Sequence, residues 1–501
     1  MSVEAHLIRG AAPHTRGAVK SKQLRDPFTE LYARNIAMEP PFDPELWARL
    51  TTISTRLTQL IRVYARNVAG QGWKIVPAIE VSMKTSPKLK EQVDKDMLTL
   101  KEFYGHPHTA QQSRLWEEES FSELLYKMVA DREAIGNGYL EVSRDIDGTP
   151  AGIWHIPGTT VRIKSDLQGY VQYSVGRSQY VFFKAFGDPR IMDKQTGEFI
   201  EGDQVKDIPL ADQANEIIHF QLYSPMSTHY GLPRSITAEM AITGTRAADE
   251  RNRAFFVHDA VPRMAVLVSG GSISEVSLRK MESVFAAGSK KSTLAHRAIV
   301  LHAKPGQAMT SPATIKLEPL TVGDTDDASF QKYRDANNNE VREAFGLSNL
   351  HLGTEGSANR ASAMAVLRLV IQQELLPAIR ELEYRLNATI TRALGVKLAL
   401  LELRRPKGTD PLDDAKILQR LIPAGALTPN DLRSWVERAL GIDLAPYTED
   451  WTQIPFTLLL TLIRGQLTDA GEDGDKAIES VKQVIEELGN EVEEVKNELD
   501  W

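Results

Sequence analysis

Three features of the sequence predict an α+β subunit. Between Tyr139 and Phe220, short β-rich runs alternate with the turn signals Asp147-Gly148, Pro157-Gly158, Gly187-Asp-Pro189 and Thr196-Gly197, the pattern of a mixed sheet with hairpins. Before this block, apolar residues recur mainly at helical spacing. Beyond Arg404 the pattern is helical to the last residue.

The elements follow in order. Pro40-Pro-Phe-Asp-Pro44 is an extended or turn segment leading into one helix over 46–69, on which Leu46, Leu50, Ile53, Leu57, Leu60 and Ile61 share a face. Gly70 is placed as its C-terminal cap. Trp73–Pro77 reads as a strand, 87–104 and 120–134 as helices, and Gly136-Asn-Gly138 opens an alternating strand over 139–143. Glu216-Ile-Ile-His-Phe220 reads as a short buried strand, and Pro225, Gly231 and Pro233 break regular structure after it. A helix over 235–258 is stopped by Pro262. Strands over 264–268, 298–302 and 314–317, with a helix over 274–287, make a small α/β unit. A second helix over 326–345 starts with Asp326 and Asp327 at the positive end of its dipole and stops at Gly346. The Gly- and Ser-bearing loop 347–358 precedes a long helix over 359–394. Pro377 should kink that helix, because it removes a backbone donor and clashes with the preceding turn.

A chain of 501 residues, 42% hydrophobic and 25% charged, is globular and long enough for two to four domains. The absence of cysteine excludes disulfides, thiolate catalysis and cysteine-based zinc sites, and suits a reducing cytoplasm. The longest apolar run, 454–463, is about half of what a membrane-spanning helix needs, so no membrane is expected. The basic N-terminus lacks the apolar core of a secretory signal and reads as a flexible arm over 1–33.

Net charge is −8, and its distribution is uneven. Residues 468–501 carry twelve acidic side chains and three lysines, a net of −9, which leaves 56 basic against 55 acidic groups over 1–467. A DNA-gripping domain is usually clearly basic, because each neutralised phosphate adds affinity through counterion release. This balance opposes tight binding but suits a channel through which DNA slides. In the tail, Ile478, Val481, Ile485, Leu488, Val492, Val495 and Leu499 alternate spacings of three and four, an a/d seam seeking a partner helix. A solvated acidic tail is the alternative, since Gly489 weakens the helix and 471–475 reads as a linker.

Enzyme machinery is missing from the sequence. Gly288-Ser-Lys-Lys-Ser292 lacks the first glycine and the ending that cradle phosphate and magnesium. Asp324, Asp326 and Asp327 mark a helix start, there is no Gly-x-Ser-x-Gly elbow or His-Glu-x-x-His, and His219 reads as a satisfied core histidine. No catalytic residue, metal or cofactor is expected.

Several segments, in order, resemble the phage portal protein family. Asn67-Val-Ala-Gly-Gln-Gly-Trp73 is similar to the family's turn after the first wing helix, and Gly136-Asn-Gly-Tyr-Leu-Glu-Val142 with Gly152-Ile-Trp-His-Ile-Pro157 to its wing strands. Glu216–Phe220 running into Ser224-Pro-Met-Ser-Thr-His-Tyr-Gly-Leu-Pro233 resembles the passage from wing to stem. Residues 252–268 resemble the passage from stem to clip, and Tyr333-Arg-Asp-Ala-Asn337 through Glu343-Ala-Phe-Gly-Leu347 the returning stem helix. Gly425-Ala-Leu-Thr-Pro-Asn430 and Trp435 resemble the crown. The likeness covers roughly 35–440; Ser348-Asn349 stands where many relatives have prolines, and the tail after about Leu444 matches nothing in the family.

The resemblance implies a wing over 34–231, stem helices over 232–260 and 326–346, and a clip over 261–325. It further implies a tunnel loop, kinked helix and wing return over 347–404, a crown over 405–467 and the acidic heptad tail over 468–501. It implies a homododecameric ring at one capsid vertex of the virion, assembled in the host cytoplasm, which docks the terminase large subunit and passes double-stranded DNA. Major capsid, scaffolding and head-tail adaptor proteins are the other implied partners. Leu350, His351, Gly353, Glu355, Gly356 and Arg360 then belong to the channel-facing tunnel loop, with Gly353 and Gly356 giving it flexibility. Arg246, Arg251, Arg253, Lys332 and Arg334 are candidates for weak, sequence-independent phosphate contacts in the stem. Two rival classes exist. Another head-tail adaptor or structural ring is usually much shorter and lacks the helix, α/β unit, helix order. A DNA-processing enzyme needs a carboxylate-metal or nucleophile constellation that the sequence does not supply.

Overall fold

The structure, a computed structural model, describes residues 26–79, 86–108, 119–174, 179–200, 208–258, 264–269, 271–273, 275–276, 279, 303–305, 314–319, 327–353, 360–406, 411–423, 427–440, 452 and 454–461. The helix expected over 274–287, the strand over 298–302 and the heptad tail fall wholly or mostly outside them.

The first described residues already belong to the core. Helix α1 (Thr29–Ala33) follows Phe28, which is fully buried with Leu31, Val171, Phe182 and Met192. The Arg162 guanidinium lies 4.4 Å over the Phe28 ring, and Tyr180 donates to the Pro27 carbonyl at 2.6 Å. Residues 26–33 are therefore packed, where the sequence suggested a flexible arm; the aromatic Phe28 outweighs the polar residues around it.

Side-chain oxygens decide where the next helices begin. Asp43 accepts from the Glu45 and Leu46 amides to start α2 (Pro44–Ile53), and Ser54 accepts from Leu57 to start α3 (Thr55–Val68). The single helix expected over 46–69 is thus two, because Ser54 takes an extended backbone and caps the second. Leu46 and Ile53 are consequently about half exposed, while Leu57, Leu60, Tyr64 and Val68 on α3 are fully buried. The left-handed residue after α3 is Gly72 at φ 91°, not Gly70. Strand β1 (Trp73–Pro77), α4 (Pro87–Gly105, capped by Ser86) and α5 (Phe121–Ile135, capped by Ser120) complete this part.

A six-stranded sheet follows, built from β2 (Asn137–Arg144), β3 (Pro150–Ile156), β4 (Val161–Ile163), β5 (Gly169–Ser174), β6 (Gln179–Ala185) and β9 (Glu216–Gln221) in the order β3-β2-β9-β6-β5-β4. Between β6 and β9 lies the short hairpin β7 (Ile191–Met192) and β8 (Phe199–Ile200). All neighbours in the sheet are antiparallel except β6 and β9. Strand alternation divides its side chains: Leu140, Val142, Ile218 and Phe220 join the helical core, and Tyr139, Ile156, Val161, Phe183 and Ile217 form a separate cluster.

A 3₁₀ turn over Arg234–Ala238 delays the next helix, so α6 is Glu239–His258 and starts four residues later than its periodicity suggests. Strands β10 (Met264–Ser269) and β13 (Thr314–Pro319) pair antiparallel, as do β11 (Gly271–Ile273) and β12 (Ala303–Pro305). Helix α7 (Asp327–Ala344) packs along α6 and ends before Gly346 at φ 62°. Helices α8 (Arg360–Val370) and α9 (Leu376–Leu386) continue one another through a π-turn at Ile371–Leu375. The disturbance expected at Pro377 takes this form: a turn of wider hydrogen bonding just upstream, where the lost donor leaves a carbonyl to satisfy. The helix 362–391 is long and apolar enough to cross a membrane by length and composition, yet Leu375, Ile379, Leu382, Leu386 and Ile390 sit in the protein core. Strand β14 (Ala399–Leu403) returns to pair with β1, and α10 (Pro411–Leu421) and α11 (Pro429–Leu440) follow.

Candidate functional site

Two glycine motifs far apart in sequence meet where the sheet passes into α6. Gly136, at φ 78°, ends α5, and a Cβ there would lie 2.4 Å from the Gly231 carbonyl oxygen; a Cβ on Gly231 would lie 2.2 Å from that of Gly136. Only glycine permits this approach. Between them Asn137 is buried with its amide fully used: Nδ2 donates to the Ile135 and Gly231 carbonyls at 3.0 Å each, and Oδ1 accepts from Gly231 N at 2.8 Å and sits 3.0 Å from His219 Nε2. The His219 ring stacks on Tyr139 with centroids 4.6 Å apart. Burial, aided by the Arg385 charge, lowers its pKa to about 3, so it stands as a neutral core histidine, as the sequence suggested.

A charged network lies at the same junction. Glu133, fully buried on α5, accepts from Arg234 Nε at 2.7 Å and from Arg132 Nη2 at 3.1 Å. Arg234 Nη2 donates to Tyr64 Oη at 2.9 Å, and its guanidinium lies 4.8 Å over the same ring. Its Nη1 is 3.8 Å from Glu374, on the π-turn of the long helix. Burial opposes the Arg234 charge, but Glu133, Tyr64 and Glu374 offset this and raise its pKa, so it is cationic throughout the accessible range. Burial pushes the Tyr64 hydroxyl up, with Glu133 adding to the shift. Arg234 thereby ties the foot of α6 to α3, α5 and the long helix. Sequence reasoning passed over this network; its one signal was the Arg132-Glu133 pair inside an apolar helical stripe, where charge is costly unless partnered.

The helix pair above the junction is held by small and polar groups. A Cβ on Gly244 would lie 2.4 Å from Tyr333 Oη, Asn337 Nδ2 donates to Thr245 Oγ1 at 3.1 Å, and Ala241 and Ala248 supply the buried apolar contacts of α6 there. Of the candidate phosphate contacts, Arg246 pairs with Glu250 at 2.8 Å and Arg334 with Asp249 at 3.3 Å. Arg253 and Lys332 are exposed, and the Arg251 side chain lies outside the described residues. Arg246, Asp249 and Arg334 also line a cleft of about 320 Å³ with Ser54, Arg56 and Asn338.

The candidate loop is anchored over its described half. Asn349–Leu352 forms a 3₁₀ turn, closed by Gly353 in the left-handed region at φ 67°, so Gly353 serves as a cap and not as a point of flexibility. Arg56 Nη2 donates to Asn349 Oδ1 at 3.2 Å and Gln59 Nε2 to the Leu352 carbonyl at 3.2 Å, fastening the turn to α3. His351 Nδ1 lies 2.9 Å from Ser348 Oγ, and burial lowers its pKa. Leu350 is half-buried. Glu355 and Gly356 lie outside the described residues; Arg360 opens α8, but its side chain is also outside them. Among the described residues, no group of three or more His, Asp or Glu could hold a metal ion.

Comparison with known proteins bears on the arrangement. The family model "Phage portal protein" matches residues 101–437. A Bacillus subtilis (strain 168) protein described as "Phage-like element PBSX protein XkdE" is 30% identical over 515 residues, 96% of each chain. A second from the same organism, "Uncharacterized protein YqbA", is 29% identical over 483 residues, 90% of each chain. Among solved structures, a chain from the virion of a native gene transfer agent particle shares the fold with a TM-score of 0.51 at 17% identity, covering 82% of this chain and 96% of its own. A model match over most of the chain and the near full-length relatives establish one conclusion: the chain belongs to the phage portal protein family.

Proposed function

We propose that this chain is one subunit of a closed homo-oligomeric ring at a single vertex of a phage or phage-like particle, through which double-stranded DNA enters and leaves. The observation that carries the reading is the α6/α7 pair. Its two helices meet through Gly244, Thr245, Asn337 and alanines, while Met240 is 84% exposed and Tyr333 48%. An isolated pair so poor in apolar contact is marginal. Packing each pair against the next subunit's supplies the missing burial, and a heterologous contact that closes gives a ring. A fold neighbour, the neck of a native gene transfer agent particle computed with C12 symmetry, supports the cyclic arrangement.

On this reading α6 and α7 are the stem and 261–325 the clip. The packed region from Asp26 to Gly231 is the wing, 347–404 carries the tunnel loop and its helix, and 405–467 is the crown. Leu350, His351, Gly353, Glu355, Gly356 and Arg360 face the channel. Any DNA contact falls to Arg253, Lys332 and Arg251 more than to Arg246 and Arg334, whose charges are already offset by acids. The ring is a structural conduit: terminase supplies the energy, and capsid, scaffolding and adaptor proteins dock on it. Negative-stain imaging of the purified protein is the test. Rings of about twelve subunits with a central hole are expected on the symmetry argument; a stable monomer at micromolar concentration overturns the reading.

A further inference from the structure

The π-turn Ile371–Leu375 divides the long helix into two unequal halves. Downstream, Leu375, Ile379, Leu382, Leu386 and Ile390 are at most 1% exposed. Upstream, within 362–370, Val370 is the buried position among the described side chains, while Val366 is 41% exposed and Leu369 52%. One half is anchored in the core and the other lies on the surface, with the irregular turn between them.

Glu374 sits on that turn and touches the roots of both helices of the α6/α7 pair. Its carboxylate is 3.8 Å from Arg234 Nη1, at the foot of α6. It also lies over Gly346, just past the end of α7, where a Cβ would come within 2.6 Å of Glu374 Cδ. Arg234 therefore has one tight, fully buried anion in Glu133 at 2.7 Å and one longer, more exposed anion in Glu374. The tight contact fixes the cation whatever Glu374 does. The looser one can open and close without dismantling the network, since a partly exposed pair at this distance contributes little alone.

We propose that Ile371–Leu375 is a hinge for the α8 half of the long helix, and that Glu374, seated on Gly346 and facing Arg234, is the latch registering the hinge position at the base of the α6/α7 pair. A π-turn has two neighbouring hydrogen-bond arrangements, five-residue and four-residue, so exchanging one for the other turns α8 relative to α9 without unfolding either. Pro377, which cannot donate, keeps the wider arrangement populated. The hinge and latch are properties of the single chain; their consequence for DNA passage rests on the ring reading above.

Hydrogen–deuterium exchange on the full-length protein tests this, with E374Q, which keeps the side-chain shape and removes the charge, and P377A, which restores the missing donor. For E374Q, amides over 362–370 should exchange severalfold, up to about tenfold, faster while 376–391 stays unchanged, the signature of a local opening. For P377A, exchange over 371–375 should slow. Unchanged exchange over 362–370 in E374Q, or an equal rise over 376–391, overturns the latch; unchanged exchange over 371–375 in P377A overturns the hinge. Particle imaging of the same samples reads the ring separately. Rings with no exchange difference refute the latch alone, and an exchange difference without rings refutes the ring alone.

Discussion

Asn137 concentrates more structural consequence than any charged residue near it. Its amide joins the end of α5, the start of β2, the Gly231 turn and His219, all in a buried setting. Replacing it with alanine leaves Gly231 N and two carbonyls without partners, each costing about 1–3 kcal/mol, so a loss of at least about 3 kcal/mol is expected in urea unfolding of N137A. His219 gives a second prediction. Its folded pKa is near 3 against about 6.5 in an unfolded chain, so above pH 6.5 both states are neutral and nothing is lost. Below that the unfolded chain takes a proton that the folded one refuses, and stability falls as pH drops, by about 1.4 kcal/mol per unit until pH 3. Between pH 7.5 and 5.0, H219Q should lose about 2 kcal/mol less than the wild type, because glutamine still donates toward Asn137 and does not titrate. Equal losses in both proteins would place the acid sensitivity elsewhere.

Among the elements, β6 and β9 form the one parallel pairing in the six-stranded sheet, and its register is fixed by charge. Glu216, 2% exposed, accepts from Arg144 Nε and Nη2 at 2.9 and 2.8 Å and from Gly187 N at 3.2 Å, with Lys184 Nζ at 3.2 Å. Removing the anion strands two cations in a largely buried site, so E216Q should cost about 3–5 kcal/mol, read as a lower denaturation midpoint. A shift below 1 kcal/mol would show that the strands hold register by apolar packing alone. None of this was visible in Glu216 as a letter; alternation revealed the strand around it but not its cationic partners. Helix existence was legible because apolar spacing is local. The break at Ser54 and the 3₁₀ entry to α6 were not, because capping and Arg234's distant partners decide them. Among the candidate site residues, Gly353 shows the same limit: glycine permits flexibility, but a left-handed cap tied to α3 uses that freedom for rigidity.

For the whole molecule the last question is what the acidic tail does. Residues 468–501 hold −9 of the net charge of −8, so the rest of the chain is close to neutral and should bind DNA only through exposed cations such as Arg253 and Lys332. Such binding is to phosphate, indifferent to sequence and lost with salt. If the tail repels phosphate across the ring, truncating the chain after residue 467 should strengthen DNA retention at low salt while leaving ring size unchanged, because the α6/α7 pair carries the main contacts between subunits. The seam from Ile478 to Leu499 adds a second readout, since a paired a/d helix contributes helical signal and a solvated tail does not. Circular dichroism of the truncated protein should therefore show a smaller helical signal than expected from removing a coil. No loss of helical signal would refute the coiled-coil reading while leaving the charge argument standing, and no gain in DNA retention would refute the charge argument while leaving the helix standing.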